Sequence, residues 1–68
     1  MAFNSSKMRI RRAELGWRQR ELAERAKKYG TISRQSISDW ENGRTIPTLD
    51  KVKVLADTMD VTVDYFLN

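Results

Sequence analysis

The chain is 68 residues long, the size of one small domain. It contains no Cys and no His, which excludes disulfides, metal sites built on those residues, and catalytic Ser–His or Cys–His pairs. No apolar run approaches the roughly 20 residues of a membrane span, and the first six residues lack the apolar stretch of a secretory signal. We therefore expect a cytoplasmic protein with no membrane contact, no cofactor and no small-molecule substrate.

The net charge of +4 conceals an uneven distribution along the chain. Residues 1–34 contain ten Lys or Arg and three acidic residues, a balance of +7. Residues 35–68 contain three Lys or Arg and six acidic residues, a balance of −3. A basic half beside an acidic half predicts one face for a polyanion and another face for a different contact.

Caps, stops and apolar spacing predict an all-α fold, a compact domain of five short helices over residues 1–68 with residues 1–5 as a flexible arm. The predicted helices lie at approximately 6–15, 18–28, 34–42, 49–59 and 63–67. On the fourth helix the apolar residues recur every three or four positions, as expected for a helix with one buried side.

Small polar residues precede four of these helices and supply their N-caps: Ser5 or Ser6, Ser33, Thr48 and Thr62. Gly16 and Asn42-Gly43 end the first and third helices at the usual position for a C-terminal glycine. Gly30 lies in the turn before the third helix, where we expect a positive φ.

The apolar side chains that face the interior of these helices form the predicted core. The predicted core residues are Leu15, Leu22, Ala23, Ala26, Ile37, Trp40, Leu49, Leu55, Ala56 and Val61. Trp40 belongs to this group rather than to an exposed stacking surface, because it lies opposite the polar side of the third helix.

The third helix has a polar side and an apolar side. On a wheel of 100° per residue the polar residues occupy an arc of about 140°. They are Arg34, Gln35, Ser38, Asp39 and Asn42. Arg pairs with guanine, Gln with adenine, and Asp accepts from cytosine. An ordinary surface helix would also be polar outside, but this arc lacks the usual Glu–Lys pairs. We therefore predict that it reads base edges in a DNA major groove.

Ile10 to Leu67 resembles the Cro-like, or XRE-type, helix–turn–helix family of phage repressors. The matching residues are Arg12, Gly16, Gln19, Glu21-Leu22-Ala23, Ser33-Arg34-Gln35-Ser36-Ile37-Ser38, Trp40-Glu41-Asn42-Gly43, Pro47, Leu49, Leu55-Ala56, Val61 and Val63-Asp64. The resemblance implies a lambda-repressor-like fold and a DNA-binding regulator of transcription. In this family DNA is contacted by the first residues of the second helix and by the residues that follow the N-cap of the third helix. Here those residues are Gln19, Arg34, Gln35 and Ser36.

The resemblance also implies an ion pair between Arg12 and Glu41 that ties the first helix to the third. We assign this pair to the scaffold rather than to DNA. A surface pair of this kind contributes only about 0–1 kcal/mol, so its expected role is to orient the helices.

The candidate DNA contacts fall into two groups, because phosphate contacts position a protein whereas base contacts read the sequence. The candidates for base reading are Arg34, Gln35, Ser38 and Asp39. The candidates for backbone contact are Arg18, Gln19, Ser36, Asn42 and Arg44, with Lys27 and Lys28 as weaker choices.

Two features depart from the family pattern. The turn between the second and third helices, residues 27–31, is about four residues longer than the usual turn. Arg18 stands where the family prefers Thr, Ser or Asn, and an Arg side chain cannot accept a capping hydrogen bond. We therefore expect the first turn of the second helix to be less stable, and we expect Arg18 to contact a phosphate.

Three consecutive large apolar residues, Tyr65, Phe66 and Leu67, lie near the C-terminal end of the sequence. A short helix cannot turn all three inward, so we expect at least one to be exposed unless a second subunit covers it. The family often dimerises through this region. We therefore predict a homodimer on a pseudo-palindromic double-stranded operator, with reading helices about 34 Å apart.

Two other classes of function stand beside the DNA-binding regulator. The chain could be a protein-interaction module, or an antitoxin whose main partner is another protein, with 65–67 and the acidic half as its surface. An enzyme is the weakest alternative, because carboxylates are the only catalytic groups and nothing in the sequence pairs them.

Overall fold

A computed structural model describes residues 2–67. Its helices are α1 (Ser5–Glu14), α2 (Gln19–Ala26), α3 (Arg34–Glu41), α4 (Leu49–Met59) and a C-terminal 3₁₀ helix, Val63–Phe66. α2 and α3 pack on each other and form the helix–turn–helix, while α1, α4 and the 3₁₀ helix close around them. The all-α prediction is confirmed, with the last predicted helix present as a 3₁₀ turn.

Local hydrogen bonds define α3 and α4, whose boundaries agree with the sequence prediction. The hydroxyl of Ser33 accepts from the N–H of Ser36 at 3.1 Å, and the hydroxyl of Thr48 accepts from the N–H of Lys51 at 3.4 Å. α3 ends before Gly43, which has a φ of 72°. A side chain with a Cβ is strained in that region, so glycine makes this stop possible.

The start of α1 differs from the prediction. Asn4 caps the helix, because its side-chain oxygen accepts from the N–H of Lys7 at 3.0 Å. Ser5 and Ser6 lie inside the helix, so the prediction that one of them is the cap is wrong. Asn is as good a cap as Ser, and placing it first adds residues to α1.

Two further helix boundaries also differ from the sequence prediction. α2 ends at Ala26 rather than near Lys28, and residues 27–29 form a turn. Thr62 makes no side-chain capping bond to the 3₁₀ helix. Arg18 makes none to α2, as expected, although its own N–H donates to Glu21 Oε1 at 3.2 Å.

The long turn after α2 is anchored on α4. The N–H groups of Tyr29 and Gly30 both donate to the carbonyl of Ala26 at 2.8 Å. The ammonium of Lys51 on α4 donates to the carbonyl of Thr31, also at 2.8 Å. The extra residues therefore form a folded connection that is held on α4.

Gly30 is needed in this turn for space rather than for a positive φ. Its φ is not in the left-handed region, so that prediction is wrong. A Cβ at Gly30 would lie 2.9 Å from Cγ2 of Val54 on α4. The turn thus approaches α4 too closely for any side chain.

All four α-helices and the 3₁₀ helix contribute side chains to the core. Its buried apolar residues are Met8, Leu22, Ala26, Ile32, Ile37, Trp40, Val52, Leu55, Ala56, Met59 and Phe66. Leu15, Ala23 and Val61 are partly buried against it. Leu49 is 48% exposed, so its assignment to the core is wrong. It lies about 80° around the helix from Met59, at the edge of the buried side of α4.

The two ends of the described chain are tied together. Phe3 forms an antiparallel bridge with Leu67, and the N–H of Asn4 donates to the carbonyl of Phe66 at 2.7 Å. The rings of Phe3 and Phe66 lie 5.8 Å apart. Residues 3–5 are therefore part of the fold, and the prediction of a flexible arm over 1–5 is wrong for them. Met1 lies outside the described residues.

Replacing Gly30 with Ala should destabilise the protein by about 1–3 kcal/mol, since Val54 is β-branched and cannot move aside freely. The free energy of unfolding, from chemical denaturation, checks this. Thr31→Ala, at the exposed neighbouring residue, is the control and should change stability little. The double variant Gly30→Ala/Val54→Ala should lose less stability than the sum of the losses in the two single variants, because its shorter side chain at position 54 removes the clash. Full additivity would contradict the close approach.

Candidate nucleic-acid interface

A buried carboxylate joins the first three helices. Glu41, at the end of α3, is only 3% exposed. Its two oxygens accept from Nε and Nη2 of Arg12 on α1, at 2.6 and 2.9 Å. The Nε2 of Gln19, the first residue of α2, donates to Glu41 Oε1 at 3.2 Å. One side chain thus sets the positions of the two neighbouring helices and of a candidate DNA contact.

The Arg12–Glu41 pair is present as the resemblance implies, but it is not a surface pair. The Arg12 side chain is mostly buried, and its remaining Nη1 donates to the carbonyl of Trp17 at 2.9 Å. The pKa of Arg12 is raised, chiefly by its hydrogen bonds to the Glu41 carboxylate, with burial opposing and charge attraction adding to the effect. Removing one partner of such a pair costs about 3–5 kcal/mol, so the lower surface value does not apply.

Carboxylates also decide which way two glutamine side chains point. A carboxylate only accepts hydrogen bonds, so a Gln beside it must turn its amide nitrogen inward. Gln19 does so toward Glu41, and Gln35 does so toward Asp39, with Nε2 donating to Oδ1 at 3.1 Å. Each amide keeps its oxygen and one N–H for another partner. That pair of groups matches the acceptor and donor on the major-groove edge of adenine.

An open groove runs between the N-terminal ends of α2 and α3. One part is lined by Gln19, Arg34, Gln35 and Ser38. The adjoining part is lined by Arg12, Arg18, Gln19, Arg20, Glu21 and Arg34. The structure therefore brings together five of the predicted contact residues, from both helices, beside a concentration of guanidinium groups.

Sequence reasoning missed Arg20, which lines the cationic part of this groove. It lies one position after Gln19 and carries a charge suited to a phosphate. The sequence feature that could have identified Arg20 is its position in the first turn of α2, where the helix dipole also favours an anion. Only the pairing of α2 with α3 shows that Arg20 and Arg34 face the same space.

Asp39 lies in the last turn of α3, beside one cation and one amide donor. Arg44 approaches its Oδ1 at 3.3 Å, and Gln35 donates to the same oxygen. The second oxygen stays available as an acceptor. A neighbouring Arg therefore offsets the repulsion between this acid and DNA, and Asp39 keeps a group that suits the amine of cytosine.

The other predicted residues of α3 are held by local bonds. The amide nitrogen of Asn42 donates to the carbonyl of Ser38 at 2.8 Å. The hydroxyl of Ser36 accepts from that of Ser33 at 3.0 Å. These contacts order the surface at both ends of the helix.

Lys27 and Lys28 do not line the groove. They follow the C-terminal end of α2, about 12 Å from its start for a helix of this length. Lys27 pairs with Glu24 at 3.1 Å, and the Lys28 ammonium lies over the ring of Tyr29. The structure separates these two cations from the other candidates.

The C-terminal aromatic segment also differs from expectation. Phe66 is fully buried, and Tyr65 and Leu67 are partly buried. The expectation that one of the three is exposed is therefore wrong, because the 3₁₀ turn and the contact with Phe3 bring the segment onto the core. Phe66 leaves no surface for a second subunit, which corrects its assignment to a dimer interface.

Within residues 2–67, no helix is long and apolar enough to cross a membrane. In the same range, no group of three or more acidic side chains is placed to hold a metal ion.

A family model described as "Helix-turn-helix" matches residues 8–66, which is most of the chain. The chain belongs to the Cro-like, XRE-type helix–turn–helix family. This family consists of DNA-binding regulatory domains, so the groove between α2 and α3 lies on a DNA-binding module. No curated protein and no solved structure matches the chain significantly.

Glu41→Gln should lower the free energy of unfolding by about 3–5 kcal/mol, because it leaves the Arg12 charge buried without a partner. Thermal or chemical denaturation measures this loss. Glu14→Gln is a matched control, since Glu14 pairs with Arg11 at an exposed site and should lose no more than about 1 kcal/mol. Equal losses in the two variants would contradict the structural role given to Glu41.

Proposed function

We propose that this protein is a sequence-specific regulator of transcription, a repressor, that binds double-stranded DNA through the major groove. The observation that carries the proposal is the groove where Gln19, Arg34 and Gln35 meet. Two amides oriented by carboxylates and one free guanidinium there offer the donors and acceptors that distinguish base pairs. The repressor role follows from the family resemblance to phage repressors.

Arg34, Gln35, Ser38 and Asp39 are the proposed base readers. Arg34 and Gln35 are exposed in the first turn of α3, the part of a reading helix that enters the groove most deeply. Arg34 suits guanine, Gln35 suits adenine, and Asp39 suits cytosine. Ser38 adds a hydroxyl on the same side of the helix.

The proposed backbone contacts surround these readers. They are Arg18, Gln19, Ser36, Asn42 and Arg44, with Arg20 added from the groove and Lys27 and Lys28 retained as weaker choices. Gln19 combines two roles here, because Glu41 occupies one N–H and leaves the other for a phosphate at the start of α2. Such contacts hold the protein in register without reading sequence.

The proposed partner is a pseudo-palindromic operator bound by a homodimer in the cytoplasm, on the nucleoid if the cell is prokaryotic. Each copy contributes one α3, and the two helices enter successive major grooves on one side of the duplex. We propose no catalytic role.

One observation favours the second class of function, a protein-interaction module. Ile46 is 72% exposed, an unusual position for a large apolar side chain. An antitoxin or adaptor would use such a surface for its protein partner.

Binding-site selection from a random duplex library at physiological salt tests the proposal. We expect enrichment of a palindrome whose half-sites lie about ten base pairs apart. If a folded protein enriches no sequence, the DNA-reading proposal fails and the protein-interaction module becomes the better explanation.

Arg34→Ala and Gln35→Ala should each relax preference at one operator position, with a loss of about 1–3 kcal/mol for the preferred base. Arg18→Ala should weaken binding to all sequences alike, because its proposed contact is a phosphate. Fluorescence anisotropy on the selected operator and its single-base variants separates these outcomes. Unchanged preference at every position in Gln35→Ala would contradict its role as a reader.

Arg20→Ala should reduce affinity for every duplex and lower the slope of log affinity against log salt by about 1, as expected for one lost phosphate contact. Lys27→Ala, just after the C-terminal end of α2, is the comparison, and its salt slope should change less. A reduced slope for Lys27→Ala alone would place the phosphate at the opposite end of α2.

A further inference from the structure

The last turn of α3 ends in a backbone arrangement that places Arg44 beside Asp39. The N–H of Gly43 donates to the carbonyl of Trp40 at 3.3 Å, and the N–H of Arg44 donates to the carbonyl of Asp39 at 2.9 Å. Gly43 lies in the left-handed region, with a φ of 72°, and the two bonds form a Schellman motif. The motif holds the backbone of Arg44 against the end of α3, and it does so without using the Arg44 side chain.

The side chains of Arg44 and Asp39 also meet. Nη1 of Arg44 donates to Oδ1 of Asp39 at 3.3 Å, and Nε2 of Gln35 donates to the same oxygen at 3.1 Å. A Schellman motif often brings two apolar side chains together at these positions. Here the two positions carry a base and an acid, and the acid lies on the polar side of α3. One carboxylate oxygen thus links Gln35, in the first turn of α3, to a residue beyond the end of the helix.

We propose that Arg44 determines which bases Gln35 and Asp39 prefer, without itself reading a base. The inference rests on the proposed function and adds a positioning residue to it, one that acts on the readers through the Asp39 carboxylate. The phosphate contact proposed above for Arg44 is compatible with this role, because a guanidinium has five N–H donors and the bond to Asp39 uses one of them.

The pair between Arg44 and Asp39 matters more on DNA than in the free protein. In the free protein 62% of the Arg44 side chain and 26% of the Asp39 side chain are exposed, and such a pair adds little to stability. Bound DNA displaces water from α3 and brings phosphates close, so that an unpaired carboxylate there is repelled. Without the guanidinium of Arg44, the Asp39 carboxylate should therefore turn away from the duplex.

A displaced Asp39 carboxylate would change readout at two base positions at once. Its second oxygen would no longer accept from a cytosine amine. Gln35 would lose the acceptor that holds its Nε2, and an amide that can rotate by 180° presents its donor and acceptor in either order, so that it no longer favours adenine. Loss of a phosphate contact has neither effect, because phosphates carry no sequence information.

The test measures base preference in Arg44→Ala, Asp39→Ala and their double variant, with Arg18→Ala as the control. Arg18 is also exposed and also a proposed phosphate contact, but it lies at the start of α2 and lines a part of the groove that Asp39 does not line. Circular dichroism first establishes that each variant folds, and Arg44→Gln and Asp39→Ser serve where an Ala variant does not. Fluorescence anisotropy then gives the Kd for the selected operator and for each of its single-base variants. The preference at a position is the ratio of the two Kd values.

We expect Asp39→Ala to lower the preference at two operator positions, one of which is the position relaxed by Gln35→Ala. Arg44→Ala should lower the preference at the same two positions, each by at least about fivefold. The double variant should lose no more preference than Asp39→Ala alone, because Arg44 acts through Asp39. Arg18→Ala should weaken binding to every duplex and leave each preference unchanged. The thermal midpoint of Arg44→Ala should stay close to that of wild type, since the pair is exposed in the free protein.

Three results would overturn the inference. One is an Arg44→Ala variant that binds every duplex more weakly by the same factor, which would leave Arg44 as a phosphate contact alone. Another is a further loss of preference when Arg44→Ala is added to Asp39→Ala, because Arg44 would then act independently of Asp39. The third is a loss at a position that neither Gln35→Ala nor Asp39→Ala relaxes, which would make Arg44 a base reader itself.

Failure of the DNA-reading proposal gives a different result from failure of this inference. A folded wild-type protein with no preference at any position would end both proposals. Each of the three results above leaves the wild-type preference intact and overturns only the role given to Arg44.

Discussion

The arrangement of the first three helices depends on the desolvation of one carboxylate. Glu41 is removed from water at the end of α3, and a buried carboxylate is tolerated only when its oxygens receive enough hydrogen bonds. Arg12 and Gln19 supply them from α1 and α2. Glu41 thus joins α3 to both α1 and α2 and also orients the side chain of Gln19.

A second carboxylate acts in a similar way at the surface. Asp39 orients the amide of Gln35 and is itself balanced by Arg44. Acids thus lie beside a groove that we propose binds a polyanion. Their effect is to hold glutamine oxygens outward, because a carboxylate attracts the amide nitrogen. Specific readout needs such ordered groups, since a flexible side chain loses conformational entropy when it binds.

In this fold the basic and acidic halves of the sequence supply different surfaces. The cations that line the groove come from residues 12–34, within the basic half. A shallow apolar groove, lined by Phe3, Ile46, Pro47, Leu49, Val52 and Leu67, comes mainly from the acidic half. The long turn of residues 27–33 separates α2 from α3 in the chain but is anchored on α4 by Lys51. The turn that leads into α3 is therefore tied to α4.

The sequence by itself determined that the domain is helical, the limits of α3 and α4, and the polar side of α3. These features depend on caps, glycines and periodicity that act within about four residues. The resemblance added the Arg12–Glu41 pair. Tertiary structure alone decided that this pair is buried, that Gly30 is required by the approach of Val54, and that Arg20 shares a groove with Arg34. It also decided that Leu49 is exposed and that Phe3 joins the C-terminal segment. Each of these depends on contacts between residues far apart in the chain, where packing rather than local preference determines which groups meet.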